Sequence, residues 1–110
     1  MRIPPASTPV ACDMSTALDT PGQRLDEYRD LFARTLVAKE ETGYGVLFRL
    51  RAAPGVEDQV RDLAARELLC CPFFAFEVTV RGDEIHWAAA VSDSDAARAA
   101  LRDFYDLAAS

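Results

Sequence analysis

From residue 20 onward, apolar and polar positions recur with two periods, and the switches between them mark seven elements. Thr20-Pro21-Gly22-Gln23 starts the first: threonine can cap, proline suits the first helical position, and Gln23 can reach back as in a capping box. Leu25, Tyr28, Leu31 and Phe32 follow at helical spacing and predict a helix to about Ala33. Two strand-like runs come next, Leu36 to Glu41 and Val46 to Ala52, with Thr42-Gly43-Tyr44-Gly45 as the turn between them. In the second run Val46, Phe48 and Leu50 share one face while Arg49 and Arg51 share the other, which predicts a sheet with one face on a core and one in water.

Pro54-Gly55 opens a second helix, Val56 to about Cys71. At helical rotation Val56, Val60, Leu63, Glu67, Cys70 and Cys71 fall in one stripe roughly 100° wide, with Glu67 near its middle. A carboxylate there either meets a buried partner, because a lone buried charge is costly, or sits on a last turn that protrudes into water. Phe74, Phe76, Val78 and Val80 alternate with polar positions, Gly82-Asp83 turns the chain, and Ile85, Trp87, Ala89 and Val91 face one way on the return strand. His86, the only histidine, falls on the opposite face with Glu77 and Arg81 and reads as a surface residue. Ser92-Asp93-Ser94-Asp95 caps a last helix with Ala97, Ala100, Leu101, Phe104 and Leu107 or Ala108 on its buried side. The order α-β-β-α-β-β-α predicts an α+β fold: an antiparallel four-stranded sheet with helices on one face, a two-layer sandwich.

Residues 1–11 lack either period and carry Pro4, Pro5 and Pro9, which predicts a flexible Pro-rich arm ahead of a single domain over 12–110. A formal net charge of −6, with 12 basic and 18 acidic residues, excludes a nucleic-acid backbone and an anionic membrane surface as partners. No apolar run approaches the ~20 residues of a membrane span, and Met1-Arg2-Ile3-Pro4-Pro5 has no apolar signal core, so the expected location is cytoplasmic.

The three cysteines are then expected to be thiols rather than a disulfide framework, and Cys70 and Cys71, as neighbours, are poorly placed to bond each other. Thiolates select soft ions, so Cys12, Cys70 and Cys71 together suggest a site for Hg, As, Cu or Zn, with Glu67 nearby as ligand or base. Adjacent helical cysteines point ~100° apart, so the pair expected to share an ion is Cys12 with one of them. This requires the irregular segment around Cys12 to come close to the C-terminal end of the second helix. A Cys-His nucleophile is disfavoured, because the helix dipole at a C-terminus opposes a thiolate. Apolar filler remains a third use of such thiols.

Two resemblances follow. Early Ala11-Cys12, the Pro54-Gly55-Val56 helix start and the Glu-x-x-Cys-Cys-x-Phe run (Glu67, Cys70, Cys71, Phe73) resemble a group of small actinobacterial proteins. That resemblance implies the domain and the site, without a reaction. Cys12, followed by Ala17-Leu18-Asp19-Thr20, and later Cys70-Cys71-Pro72-Phe73-Phe74 are similar to two segments of organomercurial lyase. That likeness would give two thiolates the mercury and an aspartate the proton, with Asp19 or Asp13 as the acid and Glu67 as a further proton carrier. In this chain four residues intervene between Cys12 and Ala17, and the lyase's N-terminal helical domain has no counterpart. The reading that emerges is a small cytoplasmic thiol-site protein binding a soft metal or metalloid, in a resistance or stress role. The alternatives are a lyase-like enzyme and a non-catalytic interaction domain with structural cysteines; self-association is left open.

Overall fold

The seven elements form in the expected order: α1 (Pro21–Thr35), β1 (Leu36–Glu41), β2 (Gly45–Arg51), α2 (Val56–Cys70), β3 (Phe74–Arg81), β4 (Glu84–Val91) and α3 (Asp95–Leu107). The structure, a computed structural model, describes residues 1–108. The strands pair antiparallel in the order β1-β2-β4-β3, and the three helices cover one face of the sheet.

Local chemistry accounts for the element ends. At α1 the Gln23 amide donates to Thr20 Oγ1 at 3.1 Å and the Thr20 amide donates to Gln23 Oε1 at 2.9 Å, a complete capping box. At α3 the Ala97 amide donates to Ser94 Oγ at 3.2 Å. The N-cap of α2 is Gly55 at φ 83°, a left-handed conformation in which a side chain is disfavoured.

The pleat decides the core. Phe48 on β2 stands opposite Trp87 on β4, which stands opposite Val78 on β3. Phe48 and Trp87 are fully buried beneath the helices. Phe76 is half-buried on the same face, its ring centroid 5.6 Å from that of Trp87. Phe104 of α3 meets Trp87 edge-on at 5.6 Å, while Tyr28 of α1 stacks on it at 6.1 Å. From α2, Val60 and Leu63 are fully buried. Each such aliphatic or aromatic side chain contributes about 1.5–3 kcal/mol on burial, so this layer dominates the fold's stability.

Two features of the sheet were not foreseen. Gly45 belongs to β2 rather than to the turn, and a Cβ there would lie 2.0 Å from the Ala89 carbonyl oxygen, so only glycine lets β2 approach β4 at that point. In β1 the register slips between Leu36 and Ala38, a bulge that sets Lys39 opposite Phe48 on the helix side. Lys39 Nζ then sits 4.2 Å from the centre of the Tyr105 ring and donates to the Tyr105 carbonyl at 3.2 Å.

On the open face, Arg49 donates through Nε and Nη2 to the two Glu84 oxygens at 2.9 Å each, and His86 Nε2 lies 3.0 Å from Glu84 Oε1. The expected solvated arginine face is therefore a paired one at Arg49.

Candidate functional site

The functional candidates converge where the segment before α1 meets the end of α2. That helix ends because Cys71 leaves helical geometry and Pro72 follows. Its last carbonyls lack intrahelical donors. One of them, Cys70 O, accepts from the Asp13 amide at 2.9 Å, which sets residue 12 beside the helix end. Val10, Met14 and Ala17 pack on the core close by in sequence.

Cys12 thus arrives at the C-terminal end of α2, as the soft-ion reading required, but the sulfurs are bonded to each other: Cys12 and Cys71 are joined by a disulfide, S–S 2.08 Å, across a sequence separation of 59. Cys70, buried, is the free cysteine, and Cys70 and Cys71 are not bonded to each other. The expectation of a soft-ion site on Cys12, Cys70 and Cys71 for Hg, As, Cu or Zn is overturned. A disulfide sulfur has given up the thiolate charge that selects such ions, and a single thiol remains. Among the described residues no three Cys, His, Asp or Glu side chains are grouped to hold a metal. With the site go the soft-ion partner and the metal-resistance role inferred from it.

Of the two outcomes open to Glu67, the structure shows the paired one. Arg24 of α1 is 4% exposed and reaches three acceptors at once. Its Nε and Nη2 donate to Asp19 Oδ2 and Oδ1, each at 2.7 Å, in a bidentate pair, and Nη1 donates to Glu67 Oε2 at 3.0 Å and to Cys70 Sγ at 3.7 Å. Arg66 extends the cluster by donating to Asp19 Oδ2 at 3.1 Å and to Glu27 Oε2 at 2.7 Å, and it also pairs with Asp62. The other Glu67 oxygen, Oε1, stands 4.0 Å from Cys71 Sγ, a contact without a proton because that sulfur is bonded.

The charges follow from these contacts. The hydrogen bonds from Arg24 hold the Asp19 carboxyl at about 2, below its ordinary 3.8. The Arg24 guanidinium is raised in turn, first by Asp19 and then by Glu67 and Cys70, against the opposing effect of burial. Tyr28, buried nearby, has its phenol raised by desolvation and next by the negative charge of Glu67. Its hydroxyl finds no hydrogen-bond partner among the described residues.

The candidate acids therefore separate. Asp19 and Glu67 share one guanidinium, whereas Asp13 is exposed and its carboxylate accepts from the Ser15 amide at 2.9 Å, which lowers its pKa. His86 lies on the open sheet face, away from the helix side. A cavity of about 190 Å³ adjoins the network, lined by Thr16, Ala17, Leu18, Asp19, Arg24, Arg66, Leu69 and Cys70. A larger one of about 350 Å³ lies on the open face around Leu47, Thr79, His86 and Ala88, with none of the cysteines in its wall.

Arg24 and Arg66 were missed from the sequence. Arg24 had a signal: with Tyr28, Leu31 and Thr35 it occupies one helical stripe, so it is a charge on the apolar face of α1, opposite the charge on the apolar face of α2. Arg66 had only its spacing of four from Asp62, which marks a surface pair and nothing more. Set against models of protein families, curated proteins and solved structures, the chain matches none of them.

Proposed function

We propose that this chain is a non-catalytic interaction domain whose cysteines are structural. The observation that carries the reading is the Cys12–Cys71 disulfide, which occupies two sulfurs that thiolate chemistry would need free. The neighbouring carboxylates Asp19 and Glu67 are likewise engaged by Arg24. A link to the small actinobacterial proteins that share Glu67, Cys70, Cys71 and Phe73 is part of this proposal and adds no reaction to it. So is a cytoplasmic location, for which the free Cys70 thiol is ordinary.

The partner surface we assign lies at Leu18 and Leu69. Both are large apolar side chains standing in solvent, 107% and 85% exposed, and with Ala17 they wall the cavity over Cys70. Apolar side chains brought together from two separate segments make a patch that a partner can cover. Around it Asp19, Glu27, Asp62 and Glu67 face Arg24 and Arg66, which leaves a local excess of two negative charges. The complementary partner is a protein segment apolar along one face and basic at its edges.

The test titrates an amphipathic Leu/Lys peptide, and its Leu/Glu counterpart, into isotope-labelled protein followed by NMR. The expected result is amide shifts at Ala17, Leu18 and Leu69 with the Leu/Lys peptide alone, abolished by Leu69→Asp. No response, or an equal response to both peptides, overturns the surface. Release of benzene from phenylmercuric acetate by the purified protein overturns the non-catalytic reading and restores the lyase alternative.

A further inference from the structure

The two ends of the disulfide differ in access. Cys12 is exposed, whereas Cys71 is 3% exposed and Cys70 beside it 6%. Thiol–disulfide exchange needs a thiolate to approach one sulfur in line with the S–S bond, and of the two residues Cys12 is the one that solvent reaches. The disulfide is also the main fastening of its segment. Between residues 1 and 18, which contain no helix or strand, the other polar ties to the domain among the described residues are the Asp13 amide on Cys70 O and the Met1 ammonium on the half-exposed Glu77. Thr16, Ala17 and Leu18 of that segment share a cavity wall with Cys70, so the segment lies over the buried thiol.

We propose that Cys12–Cys71 is a thiol–disulfide exchange site whose substrate is a dithiol reductant, and that it latches the segment from Cys12 to Leu18 over Cys70. The dithiol's thiolate attacks Cys12 Sγ, the S–S bond breaks, and its electron pair leaves on Cys71 Sγ, which takes up a proton. The second thiol of the reductant, deprotonated, then attacks its own sulfur in the mixed disulfide and expels Cys12 as a thiolate, which is protonated in turn. The dithiol becomes a cyclic disulfide, and the protein gains two electrons and two protons. With the bond gone, the Asp13 amide hydrogen bond, the Met1–Glu77 contact at the far end of the segment and the packing of Val10, Met14 and Ala17 are left to hold it. Its release uncovers Cys70 and Cys71. In the cytoplasmic location proposed above, on which this inference rests, a structural bond of this kind is ordinarily one that also opens and closes. The site does not depend on whether the Leu18–Leu69 patch binds a partner.

The test compares full-length protein with and without dithiothreitol under native conditions. Alkylation at Cys70 by iodoacetamide is read by tandem mass spectrometry, and hydrogen exchange at the Asp13 amide by NMR. Reduction should raise the Cys70 alkylation rate at least tenfold and the Asp13 exchange rate at least tenfold, with the far-UV circular dichroism unchanged. Cys12→Ala should reproduce both increases without reductant. Three results overturn the proposal: a disulfide that resists dithiothreitol in the folded protein, Cys70 alkylation equally slow in the reduced protein, or loss of the folded spectrum on reduction. The last would make the bond a staple of the fold. In none of these measurements is a peptide partner present, so their failure is separate from failure of the interaction surface.

Discussion

Arg24→Met is the most informative single change, because it removes one charge from the centre of the buried network while keeping most of the side chain's volume. The guanidinium donates four hydrogen bonds, two to Asp19, one to Glu67 and one to Cys70. The Asp19 and Glu67 side chains are each only 16% exposed, so water cannot replace those donors without some opening of the structure. Removing one partner of a buried ion pair costs about 3–5 kcal/mol, because the other charge stays behind uncompensated. Here Arg66 still donates to Asp19, and both carboxylates keep some solvent, so the lower end, about 3 kcal/mol, is expected. Unfolding entropy near 2.1 cal/mol/K per residue gives about 230 cal/mol/K for a chain of this length, so the midpoint should fall by roughly 13 °C. The assay is thermal and urea denaturation with the disulfide intact, together with Glu67→Gln and the double variant. Coupling of Arg24 with Glu67 should exceed about 1 kcal/mol in that cycle. A loss below about 1 kcal/mol for Arg24→Met would refute the reasoning, since it would mean that α1 and α2 do not enclose the pair.

Other expectations follow from the same cluster. Tyr28→Phe deletes a buried hydroxyl that has no hydrogen-bond partner among the described residues and should raise stability by about 1 kcal/mol; a loss of that size in urea denaturation would show the hydroxyl bonded to Glu67. Asp19 and Glu84 are both held at about 2, Asp19 by Arg24 and Glu84 by Arg49 and then His86. Since these folded values lie below the unfolded ones, their contribution is full above about pH 5 and is lost as pH falls through 4 towards 2. Arg24→Met should therefore flatten the acid limb of a stability–pH curve, and an unchanged limb would count against Asp19 as its source.

Periodicity determined the order of the seven elements and the core side of β2, and residue type their caps, but on β3 and β4 burial departs from it: Val80, expected on the core side, is 49% exposed, while Ala75 and Ala90 of the opposite face are buried. The order, the caps and the β2 face are set by neighbours within a few residues, and the side-chain period of two leaves no freedom there once one face is apolar. The bulge in β1 and the placement of Gly45 were not legible, because both depend on how one strand meets another. Glu67 posed a question that the sequence left open: a charge on an apolar stripe is either paired or wet. Its answer, Arg24, lies 43 positions away on another helix, and only the packing of α1 against the end of α2 joins them. The cysteines show the same limit more sharply. The irregular segment around Cys12 had a reason to visit the end of α2, and it does. Whether the sulfurs arrive as thiolates around an ion or bond to one another depends on their approach, a tertiary quantity, and on the loss of two electrons to an oxidant, and local pattern is silent on both. At bonding distance the pair can share electrons directly, and the soft-ion chemistry that residue type suggested is given up to a covalent link.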